Sequence, residues 1–166
     1  MLGDDIRVRP LTKSDWEDVR AIYIQGISTG NATFEPKAPS WDRWHGGHLH
    51  DCRLVAEESR KDVGWAALSS VSDRCVYAGV AETSIYISEA ARGRGVGKAL
   101  LRRLVEGSEQ AGIWMLQAGV FPENKASIAL HESCGFRVVG LRERLGKLNE
   151  VWRDVFLLER RSKVVG

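Results

Sequence analysis

The sequence predicts a mixed α/β (α+β) fold in which helices pack on a single sheet, and three observations carry that expectation. Short runs of alternating or β-branched residues recur along the chain, two stretches have strong helical periodicity, and one strand passes through a glycine-rich loop directly into a helix. Strands and helices alternate without the regular period of a doubly wound sheet, so the sheet is expected to be mixed. With 166 residues, 43% of them hydrophobic, the chain can bury one core but has no room for a second full domain. No repeat, low-complexity tract or Pro/Gly/Ser linker divides it, and residues 1–166 read as one domain.

Each element follows from local pattern. Ile6-Arg7-Val8-Arg9 alternates and stops at Pro10, a short first strand. Thr12 or Ser14 can cap a helix whose apolar positions Trp16, Val19, Ile22, Tyr23 and Ile27 recur at three-to-four spacing and which ends around Gly26 to Gly30. The loop Asn31–Pro36 follows, then a second short helix from Ser40 to His50. Leu54–Ala56 and Val63–Leu68 read as a hairpin joined by the polar turn around Ser59 to Asp62. Val80–Ile87 is the next strand. The stretch Ser88–Gly97 leads from it into a helix carrying Val96, Leu100, Leu101, Leu104 and Val105, with Gly107 or Gly112 near its end. Trp114–Val120 forms a strand, Ser127–Ser133 a short helix ending at Gly135, and Phe136–Val139 and Val151–Leu158 the last two strands.

Composition narrows the function classes. Lys and Arg number 24 against 22 Asp and Glu, and a net charge of +2 lacks the basic footprint that duplex binding requires, so no nucleic-acid partner is expected. Cys52, Cys75 and Cys134 are odd in number and widely separated, which argues against a disulfide framework or a cysteine zinc site and suits a reducing cytoplasm. His45, His48 and His50 form a local cluster, but Gly46 and Gly47 make a poor rigid scaffold for ligands, and no metal is expected. Met1-Leu2-Gly3-Asp4-Asp5 does not read as a leader, and no run approaches the ~18 apolar residues of a membrane span. The six tryptophans are scattered, which favours core and interface use over a stacking platform.

The informative segment is Arg92-Gly93-Arg94-Gly95-Val96-Gly97-Lys98. Alternating glycines let backbone N–H groups converge, and the helix N-terminus behind them adds partial positive charge, so the segment suits a pyrophosphate. A dinucleotide fingerprint begun at Gly93 needs glycine where Lys98 stands, and a P-loop fails because Gly97 comes too soon and Ala99 has no hydroxyl. Arg92, Gly95 and Gly97 do match the coenzyme signature of the GCN5-related N-acetyltransferase (GNAT) family.

Downstream, Asn124-Lys125-Ala126-Ser127-Ile128-Ala129-Leu130-His131, running on to Gly135-Phe136, resembles that family's second coenzyme motif. The Asn31-Ala32-Thr33-Phe34 loop, Val80-Ala81-Glu82, Leu130-His131 and the tail Trp152-Arg153-Asp154-Val155 narrow the resemblance to the phosphinothricin and methionine sulfoximine acetyltransferase branch. The likeness runs from about residue 5 to residue 161. A departure falls at Val71-Ser72-Asp73-Arg74, where relatives often carry a Trp before the basic residues.

The resemblance implies about seven strands, mostly antiparallel, with splayed central strands and about four helices. It also implies acetyl-coenzyme A as co-substrate, a small amino-acid-like acceptor and a homodimer. It assigns pantetheine contacts to the strand Ile85-Tyr86-Ile87, pyrophosphate contacts to Arg92, Gly93, Arg94, Gly95, Val96, Gly97 and Lys98, and further polar contacts to Asn124 and Ser127. Glu82 takes the proton acceptor's position and His131 that of a second proton-transfer group, both residue types able to exchange protons with a reacting amine or thiolate. On the acceptor side it implies Phe34, Arg74, Tyr77, Glu82 and Thr83, with Arg74 as the cation for a carboxylate or phosphinate. Acetylation of another amine, such as a protein N-terminus or an aminoglycoside, and a non-catalytic acyl-coenzyme A sensor stay open at this point.

Overall fold

The computed structural model describes residues 3 and 5–166; Met1, Leu2 and Asp4, part of the N-terminal stretch read above, lie outside the described residues. Among the described residues, seven strands form one sheet: β1 (Ile6–Pro10), β2 (Leu54–Glu58), β3 (Lys61–Ser70), β4 (Val80–Ile87), β5 (Met115–Val120), β6 (Arg137–Leu148) and β7 (Val151–Arg161). Their spatial order is β1-β2-β3-β4-β5-β7-β6, and only the β4–β5 pair is parallel. The α-helices of the described residues are α1 (Trp16–Ser28), α2 (Trp41–Gly47), α3 (Val96–Gln110) and α4 (Lys125–Ser133).

The sheet separates two cores. On one face, Leu100, Leu101 and Leu104 of α3 are fully buried against Ala56, Ala66, Leu68 and Leu158. Burying each leucine contributes roughly 1.5–3 kcal/mol. On the other face, Val19, Ile22 and Tyr23 of α1 meet Trp44 and Trp65, and Tyr86 of β4 stacks 4.8 Å from both Tyr23 and Trp65. Gly26 is small for this reason, since a Cβ there would sit 2.6 Å from the Tyr86 ring. Four tryptophans, Trp16, Trp41, Trp44 and Trp65, thus belong to the core.

Most boundaries shift by up to three residues, as in β3, β7 and α4, and two differences bear on the site and the histidine cluster. Helix α2 stops at Gly47 instead of reaching His50. Arg53 then packs over Trp44 and donates to the carbonyls of His45, His48 and Leu49, which holds the histidine-rich segment as structure. The strand expected over Phe136–Val139 continues to Leu148 as β6, with Asn149 and Glu150 both at positive φ in the turn to β7. It is a solvent-exposed edge strand interrupted by a bulge between Arg142 and Gly146, so no regular alternation marks it in the sequence.

Candidate active site

The central feature is a fork. Strands β4 and β5 pair only through Val80↔Met115, Ala81↔Leu116 and Glu82↔Gln117, and beyond Glu82 they part. β4 remains bound to β3 on its other side and β5 to β7, so the edges turned toward the gap lack a strand partner. Such an edge offers backbone N–H and C=O groups to an extended ligand. The gap opens into a cleft of about 330 Å³ walled by β4 from Glu82 to Tyr86, β5 from Gln117 to Val120, the 32–34 loop, α4 and the β6–β7 hairpin.

Glu82 stands at the point of divergence. A Cβ built on Gly119, across the gap, would lie 3.9 Å from its Oε1, so the carboxylate hangs over the glycine and faces the cleft. Alternation along β4 places Thr83 on the opposite face, toward α4. There the Thr83 hydroxyl lies 3.4 Å from the Gln117 carbonyl and 3.3 Å from His131 Nε2, bridging the fork just past its last paired residue.

His131 is 2% exposed. Its Nδ1 is 2.7 Å from the Ser127 carbonyl, which can only accept, so Nδ1 carries the proton and Nε2 accepts from Thr83. Burial holds the imidazole's pKa below its ordinary value, and the ring is neutral near pH 7. Glu82 and His131 therefore reach the cleft from opposite faces of β4.

The glycine loop lies beyond the open end of β4. Gly93 and Gly95 have φ of +73° and +83°, a left-handed backbone that favours glycine. Gly95 caps α3, and no acidic residue stands in that helix's first turn, so its N-terminal N–H groups meet no competing carboxylate there. Gly97 has a separate role: a Cβ there would lie 3.1 Å from Leu130, where α3 and α4 approach. Arg92, Arg94 and Lys98 are exposed around this mouth, with Arg94 ion-paired to Glu58. Val96 is buried in the core beneath them.

Most other expected site residues converge on the cleft. Ile85 and Tyr86 line it, although the Tyr86 ring points into the α1 core and Ile85 and Ile87 pack toward α3, leaving their backbone to face a ligand. Asn124 and Ser127 line it as well. Asn124 caps α4 through Oδ1, which accepts from Ser127 N, and donates Nδ2 to the Asn31 carbonyl. Phe34 is held edge-on to Phe121 at 4.9 Å and against Gly146. Arg74 and Tyr77 are not brought to the cleft: both are exposed on the β3–β4 connection, with the guanidinium 5.4 Å above the phenol ring.

Three contributors escaped sequence reasoning. Gly119 keeps the floor open beneath Glu82; a glycine inside a strand is a recognised sign of close approach and was the available signal. Arg153 donates to the Gly30 carbonyl, Asn31 Oδ1 and Glu123 and lies 4.2 Å from the Phe121 ring, clamping the 31–34 loop. Arg142 enters from the β6 bulge that periodicity does not reveal.

A sheet split at its centre, a helix mouth beside the split and a carboxylate at its apex define an acyltransferase that holds its donor between strands. The profile of the acetyltransferase (GNAT) family matches residues 16–136, and the chain belongs to that family, as an acetyl-coenzyme A-dependent N-acetyltransferase. It is 34% identical over 160 residues to a phosphinothricin N-acetyltransferase of Alcaligenes faecalis, covering 92% of this chain and 81% of that one. It is 31% identical over 106 residues to the L-methionine sulfoximine/L-methionine sulfone acetyltransferase of Salmonella typhimurium, covering 64% and 62%. A Sinorhizobium meliloti phosphinothricin acetyltransferase solved in complex with acetyl-coenzyme A superposes with a TM-score of 0.85 at 30% identity, covering 95% of this chain and 88% of that one.

Proposed function

We propose that the enzyme acetylates the α-amine of a small amino-acid analogue of the phosphinothricin, methionine sulfoximine or methionine sulfone type. The observation that carries this reading is the Glu82 carboxylate at the fork, inside a cleft of about 330 Å³, a volume that suits a small acceptor better than a protein N-terminus or an aminoglycoside. Acetyl-coenzyme A lies with its pyrophosphate at the glycine loop and its pantetheine along the free edge of β4, which delivers the thioester to Glu82. The acceptor occupies the space between Phe34, Gly119 and Val155.

Glu82 takes a proton from the ammonium, directly or through one water, and the free amine attacks the thioester carbonyl. A backbone N–H of β4 between Ile85 and Ile87 stabilises the oxyanion. The tetrahedral intermediate then collapses: the C–S bond breaks, the nitrogen releases its remaining extra proton to water, and the coenzyme A thiolate takes up the proton that Glu82 had accepted, directly or through water, as it leaves. His131, neutral and hydrogen-bonded to the Ser127 carbonyl and the Thr83 hydroxyl, holds Thr83 at the fork rather than giving up its own Nδ1 proton to the thiolate. The active unit is a homodimer joined through the exposed edge hairpin β6–β7, working in a reducing compartment such as the cytoplasm.

A thiol-release assay over a panel of amines tests the reading. Phosphinothricin and methionine sulfoximine should be turned over in preference to aminoglycosides and peptide N-termini, and Glu82→Gln should lower turnover by roughly 10²-fold or more. A pH–rate profile left unchanged in Glu82→Gln would remove Glu82 from the role of base, and coenzyme binding without turnover of any amine would indicate a sensor.

A further inference from the structure

Among the described residues that line the cleft, two carry a formal charge, Glu82 and Arg142. Arg142 pairs across the β6–β7 ladder with Val155, a buried wall of the cleft. Cross-strand partners share a face, so Arg142 is directed to the same side as Val155.

The neighbouring arginines of the hairpin are engaged elsewhere. Arg153 clamps the 31–34 loop, Arg137 pairs with Glu159, and Arg144 lies 5.5 Å over the Trp152 ring. Arg142 makes no hydrogen bond or ion pair among the described residues. The position is fixed by the bulge, where Arg144 adopts a φ of +49° and its N–H donates to Asp154 Oδ1. Leu145 is thereby turned to the cleft wall alongside Arg142.

An α-amino acid carries one cationic and one anionic group on a single carbon, and the cleft presents one carboxylate and one guanidinium. We infer that Arg142 receives the acceptor's carboxylate, in place of the Arg74 that sequence reasoning nominated, and so selects amino acids over amines that lack an anion. The inference rests on the amino-acid reading above. A guanidinium fork matches a carboxylate in two parallel hydrogen bonds, which orients the substrate as well as attracting it. With the carboxylate held there, the α-amine is directed toward Glu82. An amine without the anion leaves the guanidinium unmatched.

The test compares kcat/KM for methionine sulfoximine and for its carboxamide in the wild type, Arg142→Gln and Arg142→Lys, with acetyl-coenzyme A KM and thermal midpoint measured alongside. A charged hydrogen bond contributes about 1.5–3 kcal/mol. The acid's kcat/KM should therefore fall roughly 10- to 100-fold in Arg142→Gln, mainly through KM, while acetyl-coenzyme A KM holds. The preference for acid over amide should collapse, and Arg142→Lys should recover part of it. An unchanged acid-to-amide ratio in Arg142→Gln would overturn the inference, as would an equal loss for both acceptors with a lowered thermal midpoint, which marks a structural role. A wild type that acetylates no amino acid strikes the functional reading itself.

Discussion

At the scale of single residues, the cleft works because a few side chains are held without freedom to rotate away. Arg153 shows how this is done. Its side chain is 14% exposed, and the guanidinium reaches the Gly30 carbonyl and Asn31 Oδ1, each at 2.8 Å, so the loop that presents Thr33 and Phe34 is tied to β7. Asn124 adds a second tie at the Asn31 carbonyl. Replacing Arg153 with Met keeps the length of the stem but loses the donors, each bond to a neutral oxygen contributing about 0.5–1.5 kcal/mol and the exposed Glu123 pair about 0–1 kcal/mol. Steady-state kinetics of Arg153→Met should show acceptor KM raised roughly tenfold with acetyl-coenzyme A KM unchanged. Equal effects on both constants would mean that the arginine supports the whole sheet rather than the acceptor wall.

At the scale of elements, the β6–β7 hairpin joins two functions. Its inner face supplies Arg142, Leu145, Val155 and Leu157 to the cleft. Elsewhere it exposes Val139, Leu141, Val151 and Trp152, with the Trp152 ring 48% exposed and covered in part by Arg144 and Lys147. Apolar groups exposed along an edge hairpin invite a partner surface. Analytical ultracentrifugation should therefore give a dimer for the wild type and a shift toward monomer for the double variant Val151→Lys, Trp152→Lys. A wild type that sediments only as a monomer at working concentration would contradict this use of the hairpin. The same hairpin was the least legible element in the sequence. Its strand was expected to end at Val139, because a charged, bulged edge exposed to solvent carries no period-two pattern. By contrast, α3 was plain from Val96 to Val105, since its buried stripe of leucines is what packs it on the sheet.

At the scale of the whole molecule, the catalytic arrangement depends on one topological event, the parting of β4 from β5 past Glu82. The order strand, glycine loop, helix was readable because left-handed glycines and a helix start leave marks in sequence. Glu82, His131, Asn124 and Ser127 were placed at the cleft by resemblance, and the structure brings all four there. Arg74 was not brought in, because the β3–β4 connection that carries it runs outside the cleft, and sequence order alone does not say which side of the sheet a connection takes. Arg142 was missed for the converse reason, as a long-range pairing with β7 directs it inward.

In the proposed arrangement the donor lies along β4 while the acceptor sits against β5 and β7, and both substrates are present together before the acetyl group moves. None of Cys52, Cys75 and Cys134 lines the cleft, and a covalent relay through a thiolate has no place in it. Initial rates measured over a grid of acetyl-coenzyme A and methionine sulfoximine concentrations test this most directly. Double-reciprocal lines that intersect are the result expected of a ternary complex with direct transfer, and parallel lines, the mark of an acetylated enzyme intermediate, would contradict it.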